Sequence, residues 1–215
     1  MLTYRSSRAL KRGDTLIEVL FAITVLSLAV VMSLSIMNQG TTASLRSLQI
    51  TLVRQQIDSQ ADALRFMNSS YIAAYTSGYA PNINDGVTSP AEDYYRIIQA
   101  VKNSGVTSAS EFGTDGSETC ALAPVNSFAV NARTARYQQY DTSKFVGASS
   151  FSQLVYNSDN TMAQAEGLWI EAVRSNSPGG ATSYIDFHIR ACWGAPGTRN
   201  PMTIGTIVRL YDPTN

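Results

Sequence analysis

From Val19 to Met37 the chain carries only apolar residues and the hydroxyls of Thr24, Ser27, Ser33 and Ser35. At 1.5 Å per residue these positions span about 28 Å, close to the thickness of a bilayer's hydrocarbon core. The hydroxyls can return hydrogen bonds to the helix backbone and so do not interrupt it. Beyond Met37 the pattern changes but stays helical. Leu45, Leu48, Leu52, Ile57, Ala61, Leu64, Tyr71 and Tyr75 recur at steps near three, four or seven, while Arg46, Gln49, Arg54, Asp58, Asp62 and Arg65 occupy other faces. That is the signature of an amphipathic helix. Gly40 is the weak spot between the halves, because glycine costs about 1 kcal/mol in a helix interior. The spacing therefore predicts one interrupted or bendable helix over 14–76, stopped by Ser77-Gly78 and Pro81.

Downstream, Ser89-Pro90-Ala91-Glu92 has the form of a capping box with proline at the first helical position, opening a short helix that closes near Gly105. Residues 106–127 read as loop, and Phe128 to Tyr156 as short strands. Gly167–Arg174, Tyr184–Trp193 and Thr203–Tyr211 are three further strands separated by turn-rich segments. The middle one alternates: Ile185, Phe187, Ile189, Ala191 and Trp193 point one way, Tyr184, Asp186, His188, Arg190 and Cys192 the other. Such a period of two suits an antiparallel sheet packed on one face. The predicted class is α+β: a long N-terminal helix, its apolar half protruding, packed on a C-terminal antiparallel sheet. The expected organisation is a leader over 1–13, an apolar helical half over 14–39, an amphipathic half over 40–76, a mixed region over 77–165 and a β-meander over 166–215.

Charge sharpens the N-terminus. Arg5, Arg8, Lys11 and Arg12 precede the apolar run, and positive charge there predicts a cytoplasmic N-terminus with the C-terminal bulk translocated. The full chain holds 16 bases and 16 acids. Removing 1–13 takes away four bases and no acid, leaving a net charge of −4. That balance opposes non-specific attraction to nucleic acid, and Arg133 with Arg136 is a thin candidate for a basic strip.

One further charge stands apart. Glu18 lies at the edge of the apolar run, within Gly13-Asp14-Thr15-Leu16-Ile17-Glu18-Val19-Leu20. An acid inside a membrane segment costs roughly 2.5–3.5 kcal/mol at the bilayer centre on insertion scales, so it points to function. The basic leader ending in glycine, the Thr-Leu-Ile-Glu-Val-Leu sequence and the apolar helix together resemble the class III signal of type IV pilins and pseudopilins. The resemblance covers about thirty-five residues. It implies cleavage after Gly13 by a prepilin peptidase, which in that family usually also methylates the new amino terminus, here Asp14. Where the family usually has phenylalanine after the cut, this chain has Asp14. Glu18 falls where the family's glutamate neutralises the terminal amine of a neighbouring subunit during assembly.

The resemblance thus implies a pilin-like fold and a prepilin, major or minor. Its expected partners are the prepilin peptidase, other pilin subunits and an inner-membrane assembly machinery. It would be a single-pass membrane protein before assembly and part of a surface filament afterwards. A pseudopilin of a type II secretion-like system is the alternative within the family. A non-polymerising anchored or secreted binding protein is the alternative outside it. An ordinary secretory signal would have a shorter apolar region, roughly 7–15 residues, and Thr41-Thr42-Ala43 offers it a weak cleavage site after Ala43.

Two cysteines, Cys120 and Cys192, read as one disulfide in an oxidising compartment, with two free buried thiols as the alternative. One histidine and two distant cysteines match none of the zinc spacings, so neither metal nor cofactor is expected. His188 lies beside Asp186 and Arg190, but no nucleophile-elbow sequence occurs and no phosphate or dinucleotide loop is present. The residues predict a solvated polar row and no enzyme.

Overall fold

The computed structural model describes residues 14–79, 81, 88–104, 109, 120, 122–174 and 184–211. It is an α+β protein in which a long N-terminal helix packs on an antiparallel sheet. The chain divides into two compact units, Met1–Leu45 and Arg46–Asn215. Helix α1, Asp14–Thr76, runs through the boundary between them, and Gly40 does not break it. A single glycine's penalty of about 1 kcal/mol is small against the hydrogen bonds of the flanking turns.

In the first unit the apolar side chains of α1 are solvent-exposed from Leu16 to Met37. In the second, the buried stripe of α1 is Val53, Ile57, Ala61, Leu64, Met67 and Tyr71, at steps of four and three. Leu45, Leu48 and Tyr75, expected on that stripe, are exposed, whereas Val53 and Met67 are fully buried. Several registers of a 3.6-residue period fit so apolar a sequence, and the packing surface selects one. The helix ends where the sequence predicts. Gly78 takes φ +82°, Tyr79 N donates to Ala74 O (3.0 Å) and Gly78 N to Tyr75 O (3.1 Å), which together form a Schellman cap.

Helix α2, Pro90–Ser104, opens with the expected capping box. Glu92 N donates to Ser89 Oγ (3.3 Å), and Ser89 N donates back to Glu92 Oε2 (2.9 Å). The Glu92 carboxylate also accepts from Tyr79 Oη (2.7 Å), tying the end of α1 to the start of α2.

The strands are β1 Phe128–Asn131, β2 Arg136–Gln139, β3 Phe145–Val146, β4 Gln153–Tyr156, β5 Met162–Glu166, β6 Leu168–Arg174, β7 Tyr184–Trp193 and β8 Met202–Tyr211. Five form an antiparallel sheet in the order β2-β1-β6-β7-β8, whose last three strands are the predicted meander. The other three form a small sheet, β3-β5-β4, in which β3 and β5 are parallel. On the meander's inner face Ile185, Phe187, Ile189, Ala191 and Trp193 are all buried and join the α1 stripe and Tyr94, Ile97 and Ile98 of α2 in one core. Phe187 meets the rings of Tyr94 and Phe128, and Tyr94 meets Tyr71 (5.6 Å between centroids).

Several sheet positions are completed by helix side chains instead of strands. β1 meets β6 at only one register position, Phe128↔Ile170, and Gln60 of α1 takes the next place. Its Nε2 donates to Val130 O (2.6 Å) and its Oε1 accepts from Val130 N (2.9 Å). On the outer edge of β2, Asp93 of α2 accepts from Tyr137 N (3.1 Å) and Arg136 Nε (2.6 Å). On β4, Leu154 N donates to Gln56 Oε1 (3.4 Å).

The two sheets meet at Gly167, between β5 and β6, with φ +58°. Its N donates to Val146 O (2.8 Å), and its carbonyl accepts from Cys192 N (2.8 Å). A Cβ there would overlap the Cys192 carbonyl oxygen, which also accepts from Ser152 Oγ (3.0 Å). Both the positive φ and the close approach require glycine.

Candidate functional site

Charge is the scarcest property of α1's first unit. From Thr15 to Leu45 the only ionisable side chain is Glu18, in the second turn and exposed. Asp14 is the first residue of α1, but its side chain and all of Gly13 lie outside the described residues. The predicted cut at 13–14 therefore lies outside the described residues on its leader side.

Five hydroxyls of this segment are satisfied locally. Thr24 Oγ1 donates to Phe21 O (2.7 Å), Ser27 Oγ to Ile23 O (2.8 Å) and Ser33 Oγ to Ala29 O (2.8 Å). Thr41 and Thr42 both donate to Asn38 O (2.9 Å each). In hydrocarbon such donors have no water to turn to, and a carbonyl one turn back is the available acceptor. α1 holds a stretch long and apolar enough to cross a membrane, and none of that stretch is buried.

In the second unit, the structure joins Cys120 to Cys192 in a disulfide with Cα atoms 5.7 Å apart. The bond anchors the chain at residue 120 to the C-terminal half of β7. There the face expected to be solvated is covered. Arg190 and Cys192 are buried, as are Trp169 and Glu171 on β6. Trp169 Nε1 donates to Glu171 Oε1 (2.9 Å), and Arg190 NH1 lies 3.3 Å from the same oxygen. An ion pair and an indole donor thus offset the loss of water around each charge.

The N-terminal half of that face is the polar row the alternation predicts. Arg209 Nε and NH2 each donate to one Asp186 oxygen (2.8 Å), and its guanidinium lies 3.8 Å from the Tyr184 ring centroid. The Arg209 hydrogen bond lowers the Asp186 pKa. His188 stands between Glu171 of β6 and Ile207 of β8. Burial and the Arg190 charge lower its pKa against the opposing pull of Asp186 and Glu171, which favours the neutral ring. Its two cross-strand neighbours are a carboxylate and an aliphatic side chain, so a hydroxyl nucleophile does not face it along the sheet.

Among the described residues no group of three or more His, Cys, Asp and Glu gathers around one point. Arg133, considered as half of a basic strip, donates to Asn160 Oδ1 (2.9 Å) and lies over the Tyr156 ring (4.3 Å). Arg136 is held by Asp93. The two arginines are thus engaged with different partners. The roles of Gln56, Gln60 and Asp93 leave no signal in the sequence, since a polar residue on an amphipathic helix carries no mark of a strand it completes. No family model matches the chain, and no curated protein or solved structure matches it.

Proposed function

We propose that the chain is a prepilin-like structural subunit. It is processed after Gly13 and polymerises through the apolar part of α1 into a type IV pilus-like filament. The observation that carries this reading is Glu18, a lone ionisable group on an exposed apolar helix, in register with a basic leader and a glycine. An exposed apolar surface of this kind seeks either lipid or copies of itself. Head-to-tail stacking buries it, and a heterologous contact that does not close generates a fibre. A membrane holds subunits until they are extracted.

Cleavage at Gly13 creates an amine at Asp14. A neighbour's amine offers Glu18 a counter-charge where the dielectric is low and the attraction strong. The α+β unit with its disulfide suits the far side of the membrane, where thiols are oxidised. The partners of this reading are the prepilin peptidase, other subunits and the inner-membrane assembly machinery.

The mature N-terminus tests the proposal. Mass spectrometry of the protein from sheared surface fibres should give a chain starting at Asp14. A chain starting near Ser44 indicates secretory processing, and an intact leader in a non-fibrous fraction indicates a simple anchor; either overturns the proposal. Mature chain confined to the cell envelope points to a secretion pseudopilus.

A further inference from the structure

Two turns of the second unit are tied into one wall. In the β1–β2 turn, Asn131 Oδ1 accepts from Arg133 N (3.0 Å) and Thr134 N (3.3 Å). Its Nδ2 donates across to Asn160 O in the β4–β5 turn (2.7 Å), and Arg133 NH1 donates to Asn160 Oδ1 (2.9 Å). Ala135 (φ +50°) and Asn160 (φ +63°) are the residues other than glycine with positive φ among those described, and each turn holds one of them. Backbone of this kind persists where its surroundings over-determine it, and it gathers at ligand sites.

Two clefts adjoin this wall and share Pro90 and Thr134. The first, of about 510 Å³, is lined by polar side chains apart from Pro90 and Met162. The second, of about 650 Å³, reaches α1, where Phe66 (54% exposed) brings an aromatic ring beside Asp62. Each has the volume of a small-ligand site. In the first cleft Asp159 Oδ1 accepts from Thr161 N (2.9 Å) and Thr161 Oγ1 (2.6 Å). Among the described residues its Oδ2 accepts from no other residue, and Asn160 Nδ2 and Thr134 Oγ1 make no bond within the protein.

We propose that the double cleft binds a neutral oligosaccharide, one sugar ring laid against Phe66 and the next hydrogen-bonded by Thr134, Asp159 and Asn160. Charge argues against an anionic ligand. Arg136 is paired with Asp93 (2.6 Å) and Asp62 with Arg65 (2.8 Å), and the remaining lining charges, Arg133 and Asp159, are opposite in sign. An anion would therefore meet no net positive field. The lining argues against a peptide, which needs an open strand edge or apolar anchor pockets. Asp93 already takes Tyr137 N on the outer edge of β2, and Met162, the larger apolar residue of the first cleft, is buried.

A sugar fits both clefts. Each hydroxyl donates and accepts, so neighbouring hydroxyls match a carboxylate oxygen and an amide NH2 on consecutive residues, 159 and 160. The C–H face of a pyranose ring is apolar and covers an exposed aromatic ring. Every residue named belongs to Arg46–Asn215, so the inference does not depend on the apolar part of α1.

An array of immobilised glycans ending in neutral, sialylated or sulfated sugars tests the ligand class. The full chain is applied in a detergent without a sugar headgroup. Retention on neutral glycans is expected. Phe66→Ala, at an exposed position, and Asp159→Asn, which keeps an oxygen for Thr161, should each weaken that binding tenfold or more at an unchanged melting temperature. Tyr211→Ala removes an exposed ring outside the clefts and should bind like the parent. Retention on no neutral glycan overturns the proposal, and so does binding confined to the charged glycans, which assigns the clefts to anions. Neutral-glycan binding that survives both Phe66→Ala and Asp159→Asn overturns it as well, because the sugar then sits elsewhere.

Discussion

Gln60 and Val130 form a two-way hydrogen-bonded pair: the side-chain amide donates to the valine carbonyl and accepts from its N–H, at 2.6 and 2.9 Å. Gln60 is 1% exposed and Val130 fully buried, so neither backbone group has water as an alternative. A primary amide is the side chain that presents a donor and an acceptor side by side, as a neighbouring strand would.

Replacing Gln60 with leucine should therefore cost more than its volume suggests. Two buried backbone groups lose their partners, at about 1–3 kcal/mol each. Gln60→Glu should fare little better, because a carboxylate accepts from Val130 N but opposes Val130 O. Thermal unfolding of the two variants, against an exposed control such as Phe66→Ala, checks this. A Gln60→Leu melting temperature within a degree of the parent would refute the role assigned to the amide.

Gly167 should be the least replaceable glycine among those described. Gly167→Ala brings a methyl group against the Cys192 carbonyl at a positive φ, with backbone as the obstacle. The expected loss is on the order of 2–4 kcal/mol, the range of strained core substitutions. Gly147→Ala, whose Cβ would meet nothing within 4 Å, is the matched control. Equal stability of the two by chemical denaturation would contradict the close approach.

Acid should loosen the junction between α1 and α2. The Glu92 pKa is lowered from its ordinary value of 4.5, first by the Tyr79 hydroxyl and then by the Ser89 N–H and hydroxyl, with burial opposing. A carboxylate whose folded pKa is depressed adds stability above the unfolded pKa and loses it as pH falls through the folded one. Tyr79→Phe should accordingly be less stable than the parent near neutral pH. The difference should shrink below pH 4.5 and vanish once Glu92 is protonated in both. Urea midpoints measured across pH 2.5–7 test this, and a gap independent of pH would assign Tyr79's effect to packing.

Two substitutions at the N-terminus separate processing from assembly. Gly13→Leu should block removal of the leader, giving an unchanged precursor mass. Glu18→Ala should be cut normally, yet enter fibres at least tenfold less, judged by the sheared fraction. Normal fibres from Glu18→Ala would exclude the charge-pairing role.

The parts of the fold with strong periodicity were legible in the sequence. The alternation from Tyr184 to Trp193 marks a strand, and Ser77-Gly78 and Ser89–Glu92 mark helix ends, because those residues act on backbone within a few positions of themselves. The register of α1's buried stripe was not legible between Leu45 and Val53, where apolar residues on more than one face satisfy the same period. Nor was the burial of Arg190 and Cys192, whose cover comes from elsewhere in the chain: Glu171 and Trp169 beside the one, Cys120 bonded to the other. Glu18 is conspicuous in sequence because its oddity is local, a charge at the margin of a long uncharged run. Gln60 is inconspicuous because its purpose lies 70 residues away.

The hydroxyls of Thr24, Ser27, Ser33, Thr41 and Thr42 each bond to a carbonyl within their own helix. Their hydrogen-bond inventory is therefore the same whether lipid tails or other helices surround them. A segment built this way can change its neighbours without breaking or remaking a polar contact at these positions, so these hydroxyls would add no barrier to the proposed passage from bilayer to bundle. What remains to be matched at the other positions is shape, a few polar side chains such as Asn38 and Gln39, and the one charge of Glu18.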